Sequence, residues 1–130
     1  MTDSRADGLE AIRDMIPGLL PEDVASFRDG GFADELAELS IDHVFGALWT
    51  RPGLDRRSRS LVTLGALIAL RATDELKIHF SVARRNGLSR DELSEVVYHV
   101  AGYAGYPAAT AARGVGRRVF NEDQPGRDGA

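Results

Sequence analysis

Apolar positions recur at helical spacing along most of the chain, and nowhere is there the period-two alternation of a half-buried strand. Residues 4 to 15 are weakly amphipathic through Leu9, Ile12 and Met15, until Pro17-Gly18 breaks the pattern. A short helix is predicted after Pro21, with Glu22 and Asp23 suited to its first turn and Gly30-Gly31 ending it. From Phe32 to Trp49, the residues Phe32, Leu36, Leu39, Val44, Phe45, Leu48 and Trp49 predict one further helix. It closes at Arg51-Pro52-Gly53. Asp55 is the predicted N-cap of a helix running to about Ala72. Its second half, residues 61 to 70, is apolar on every side, so it should be the least exposed element, covered by neighbours or by another subunit. Thr73 caps the next helix and Gly87 ends it. Ser89 and Glu92 form a capping box before a stripe of Leu93, Val96, Val97, Val100, Ala101 and Ala104. Pro107 suits the first turn of a last helix to about Phe120, in which Ala108 to Ala112 permit close packing. Residues 121–130 are polar and predict a disordered tail. The class is therefore all-α, with no internal repeat and no dividing linker.

A length of 130 residues fits a single domain, 1–130, with its core at about 32–120. That is small for an enzyme that must enclose a substrate, and a homo-oligomer would complete the pocket. The balance of 16 basic against 20 acidic residues, net −4, argues against nucleic acid as a partner. Arg56, Arg57 and Arg59 make a small basic cluster, either a solvated helix start or a grip on an anion. The absence of cysteine excludes disulfides, thiolate zinc sites, cysteine nucleophiles and dithiol redox chemistry. The N-terminus has no basic-then-apolar leader, and the run at 61 to 70 is too short to span a bilayer. A cytoplasmic protein without a membrane partner is expected.

Glu75 and His79 stand one helical turn apart, sharing a face with Leu76, Phe80 and Ala83 that should point inward. A carboxylate beside an imidazole in a partly dry setting fixes its tautomer and favours its protonated form, as proton transfer requires. Alternatively, Glu75 decorates the first turn and His79 is a satisfied boundary histidine. His43 is either exposed decoration or part of a site near Trp49. Trp49 and Phe45 are either core or substrate platform. His99 follows Glu95 by one turn and precedes Tyr103, an arrangement common on solvated faces. No two histidines share a metal-binding spacing, and Gly102, Gly105, Gly114 and Gly116 make neither a P-loop nor a dinucleotide fingerprint. Neither metal nor cofactor is expected.

Several of these pieces occur together in a meaningful order. Trp49-Thr-Arg-Pro-Gly-Leu54, Arg59-Ser-Leu61, Glu75-Leu-x-x-His79, Asn86-Gly87 followed by Arg90-Asp-Glu92, and Gly105-Tyr-Pro-Ala-Ala109 resemble the carboxymuconolactone decarboxylase family over about residues 32 to 120. The resemblance implies an alkylhydroperoxidase D-like domain of about six to seven helices, assembled as a trimer or hexamer. The hydroperoxidase relatives carry a Cys-x-x-Cys pair where this chain has Ala72 and Glu75, so the decarboxylase branch is the closer match. Where those decarboxylases usually have glutamate, this chain has Ala47; His43 stands where tyrosine is common, and Thr110 replaces an expected asparagine. His43, one turn before Ala47, is a candidate replacement for the missing acid.

The reaction so implied needs no cofactor. When an unsaturated lactone loses its carboxylate as carbon dioxide, the electrons pass through the conjugated double bond to the lactone carbonyl, and the dienolate is protonated on carbon. The protein supplies a cationic grip, a nonpolar pocket and an acid. The resemblance assigns the grip to Arg51 or Arg59, substrate contact also to Trp49 and Tyr106, proton delivery to His79, and orientation and charging of His79 to Glu75. Two alternatives stay open: a cofactor-free isomerase, dehydratase or ring-rearranging enzyme of a biosynthetic pathway, and a non-catalytic protein that binds a small aromatic acid.

Overall fold

The computed structural model describes residues 4–19 and 28–121, and every regular element among them is helical. In chain order these are α1 Ser4–Met15, α2 Leu36–Ser40, a π-helix Ile41–Leu48, α3 Arg56–Leu70, α4 Thr73–Arg85, α5 Arg90–Ala104 and α6 Tyr106–Val119. The helix expected after Pro21 lies outside the described residues, as does the tail beyond Asn121. Contacts divide the chain into two compact units, Met1–Asp55 and Arg56–Ala130.

In the first unit α1 packs on the π-helix, burying Ile12 and Ile41 with Leu9 and Phe45 against them. The approach is close because two glycines face each other's backbones. A methyl group on Gly8 would run into the carbonyl oxygen of Ile41, and one on Gly46 into that of Ser4. Arg5 fastens the same pair from α1, meeting Glu38 at 2.6 Å and Asp42 at 2.9 Å. The continuous helix expected over 32–49 is instead a short α2 that widens into the π-helix at Ile41. Winding with five-residue closure, seen where the Trp49 N–H donates to the Val44 carbonyl, brings positions five apart onto one face. Ile41 and Gly46 therefore both turn toward α1. Phe32, Leu36 and Leu39 of that apolar pattern are exposed.

The second unit is a bundle of α3 to α6 around Leu64, Ile68, Leu76, Phe80, Leu93 and Val115. Local signals set its joints. The Ser89 hydroxyl accepts from the Glu92 N–H, and the Glu92 carboxylate accepts in return from the Ser89 N–H, so α5 begins in a full capping box. Gly87 takes φ +100 at the end of α4, a left-handed conformation that favours glycine. Thr73 is the first residue of α4 rather than its cap. Arg71 at φ +54 reverses the chain after α3, and the Thr73 N–H bonds to the Arg71 carbonyl instead.

α3 corrects a second expectation. Only one side of it, through Ser60, Leu64 and Ile68, is buried. On the other, Val62 is 65% exposed and Leu70 75% exposed, with Ala66 and Ala69 open between them. A helix apolar all round needs cover all round, and the other helices of the second unit supply half of it.

Candidate active site

α4 turns Leu76, Phe80 and Ala83 into the core and carries Glu75 and His79 along the edge of that face. Glu75 is exposed and His79 half-buried, so the inward position expected for both holds only in part. The ring's Nδ1 atom is buried. Burial pushes the His79 pKa below its ordinary value, and the Glu75 carboxylate one turn earlier pulls it back up without prevailing. The expected charged imidazole is thereby corrected: loss of hydration outweighs the attraction of an acid that itself stays in water. Burial thus disfavours the charged form of His79 more than Glu75 favours it.

Arg59, the other candidate in this unit, is half-buried on α3. The adjacent Ser60 is the buried polar residue of the bundle, and its hydroxyl accepts from the Asn86 amide at 3.0 Å, tying α3 to the end of α4. Of the neighbouring arginines, Arg57 forms an ion pair with Glu92 that links α3 to α5. Glu92 is held below the usual carboxylate range, chiefly by the Ser89 N–H, with Arg57 acting in the same direction. Spacing alone did not separate the structural Arg57 from Arg59.

The first unit holds His43, Trp49 and Arg51. His43 is exposed on the π-helix, as is Ala47 one turn later. Trp49 is buried, and Arg51 is exposed in the turn that follows. The Thr50 hydroxyl donates to the Gly46 carbonyl at 2.6 Å and closes the last turn of the π-helix.

Tyr106 lies elsewhere in the second unit, at a cleft between α5 and α6. Two adjoining cavities of about 210 and 400 Å³ share Val97, Tyr98 and Arg113, and Tyr106 borders the larger. A third, of about 500 Å³, runs between α3 and α5 past Leu61, Glu95 and His99. The His99 ring sits 5.3 Å from that of Tyr103. His79 is not among the residues lining these three cavities. Among the described residues no group of three or more His, Asp or Glu gathers to hold a metal ion. No helix among them is long and apolar enough to cross a membrane.

Residues 34–118, which include α4 and both α5–α6 cavities as far as Arg117, match the Carboxymuconolactone decarboxylase family. A 4-carboxymuconolactone decarboxylase of Acinetobacter baylyi is 45% identical over 78 residues, 60% of this chain and 58% of the relative. A nitrosuccinic acid decarboxylase, npaB, of Metarhizium robertsii is 41% identical over 85 residues, 65% of this chain and 59% of the relative. An uncharacterized 15.0 kDa protein of Paracoccus denitrificans, from the nqo9-nqo10 intergenic region, is 30% identical over 81 residues, 61% of this chain and 60% of the relative. The matches thus span about three fifths of each relative's length.

Proposed function

The chain belongs to the carboxymuconolactone decarboxylase family, whose all-α, alkylhydroperoxidase D-like fold it shares, and we propose that it is a cofactor-independent decarboxylase of a carboxylated unsaturated lactone. The observation that carries the reading is the half-buried imidazole of His79 with the Glu75 carboxylate one turn away, inside the matched segment. The names of two relatives add support from chemistry. A carboxymuconolactone and a nitrosuccinic acid share little shape, yet each places a carboxylate where the electrons left behind can flow into the substrate's own acceptor, a lactone carbonyl or a nitro group. A protein acting on such acids supplies no electron sink.

Arg59 holds the substrate carboxylate in this reading, because a half-buried guanidinium gives up less water on binding than the exposed Arg51. As carbon dioxide leaves, its bonding electrons pass to the lactone carbonyl. Protonated His79 then delivers its proton to carbon, and the neutral ring recovers one from solvent. Each turnover therefore consumes one proton. Glu75 orients the ring and limits the fall of its pKa. His43, exposed on the first unit, is the second proton-transfer group of this reading.

The test is carbon dioxide release from carboxylated lactones. General acid catalysis is worth roughly two to four decades, so His79→Gln should lose about that much in kcat; a variant with kcat intact removes the assignment. The lowered pKa of His79 favours one second reading, since a neutral imidazole is also a ready base for proton abstraction beside a carbonyl. Isomerised product, with solvent deuterium on the ring and no carbon dioxide, would establish that isomerase instead.

A trimer or hexamer is part of the proposal. The uncovered stripe of α3 supports it, as do Phe32, Leu36 and Leu39 in the first unit, because monomeric proteins rarely expose broad apolar patches. A cytoplasmic location completes the reading.

A further inference from the structure

Three arginines of the second unit, from α5 and α6, line one cleft. The chain carries 20 acidic residues and a net charge of −4, yet among the described residues no Asp or Glu lines either of the two adjoining α5–α6 cavities. The smaller is lined by Arg90, Arg113 and Arg117, and Arg113 also lines the larger. Its inner wall carries Phe80, Leu93, Ala112 and Phe120. The Phe80 and Phe120 rings stand 6.4 Å apart at an angle of 57°, and Gly116 packs beside Phe80, where a methyl group would meet that ring at 3.7 Å. Arg90 lies 5.8 Å from the centre of Phe120 and steadies that wall as a cation over an aromatic face.

We propose that the α5–α6 cleft is a second small-molecule site, distinct from His79, which takes a small cyclic carboxylate. Its ring lies against Val97 and Phe120, the part-exposed apolar residues of the lining, and its carboxylate meets Arg113. Arg113 is the contact because it opens onto both cavities, is exposed, and enters no ion pair among the described residues. The fork of a guanidinium matches a carboxylate in geometry as well as charge. A cavity of about 210 Å³ admits one ring and little more. The charge of Arg113 makes the cleft select an anion over a neutral molecule of the same shape. Tyr106 borders the larger cavity and so serves this cleft.

The experiment is an NMR titration of the full chain with benzoate, and with benzamide as the neutral isostere. Saturable benzoate shifts are expected at the backbone amides of Tyr98, Arg113 and Gly116, in the parent and in His79→Gln alike. The second protein separates this proposal from the decarboxylase reading, which can fail while the cleft still binds. Losing a charge-assisted contact should weaken benzoate roughly ten- to a hundredfold in Arg113→Ala, with partial recovery in Arg113→Lys. Gly116→Leu should abolish binding by filling the cavity. Absence of saturable shifts, shifts centred on α4, equal binding of benzamide, or full affinity in Arg113→Ala would each overturn the site. So would a change of oligomer mass in Arg113→Glu without benzoate binding in the parent, which would make the cleft a contact between copies.

Discussion

In the proposed oligomer, replacing Val62 and Leu70 together by aspartate should release single chains while leaving each chain folded. Both residues lie on the uncovered side of α3, opposite Leu64 and Ile68, which hold that helix in the core. Complete burial of a valine or leucine is worth about 1.5–3 kcal/mol. With 65% of Val62 and 75% of Leu70 still open to water, covering both would contribute roughly 2–4 kcal/mol per copy. That corresponds to about 30- to 1000-fold in dissociation constant, before adding the cost of burying two carboxylates. Sedimentation velocity across a dilution series measures it directly, and circular dichroism checks that helix content is kept. A parent that stays monomeric at tens of micromolar, or a double variant that assembles as the parent does, refutes the reasoning about α3.

Two further predictions concern stability. The folded pKa of His79 lies below its ordinary 6.5, so the unfolded chain binds the proton more readily; this contribution is complete above that pH and is lost as pH falls below it. His79→Gln should flatten that acid-side loss in urea titrations, and Glu75→Gln should steepen it by removing the upward pull; equal slopes in all three proteins would count against the assignment. Gly46→Ala should destabilise the first unit by about 1–3 kcal/mol through overpacking against the Ser4 backbone. An unchanged denaturation midpoint would show that α1 and the π-helix do not meet as closely as described.

What could be read from the chain was what local chemistry decides. The bounds of α1, the Ser89–Glu92 box, the turn at Gly87 and the start of α6 near Pro107 each follow from residues within a few positions of one another. The π-helix could not be read this way, because its winding serves a crossing between Gly8 and Gly46, residues distant in sequence. The apolar run of α3 announced that cover was needed but not what supplies it. Spacing showed that Glu75 is near His79, and it could not show that the acid stays in water while the ring loses it, which reverses the sign of the net pKa shift. The arginine cleft left one trace, the one-turn separation of Arg113 and Arg117; Arg90 joins them only through the packing of α5 against α6.

The lowered pKa of His79 bears on how a decarboxylase at this site would obtain its acid. A ring that resists protonation in the free protein must acquire its proton when the substrate arrives, and an anion bound beside it supplies the missing charge. Binding and proton uptake are then one event. A saturated carboxylated lactone keeps the carboxylate but lacks the conjugated path for the electrons, so it should bind without reacting. Calorimetry of that analogue at pH 7 should give a binding enthalpy that differs between phosphate and Tris, because each proton taken up is drawn from the buffer. The difference should vanish in His79→Gln. If the enthalpy is the same in both buffers for the parent, His79 stays neutral in the complex, its role as proton donor falls, and the base required for isomerisation becomes the better account of the same side chain.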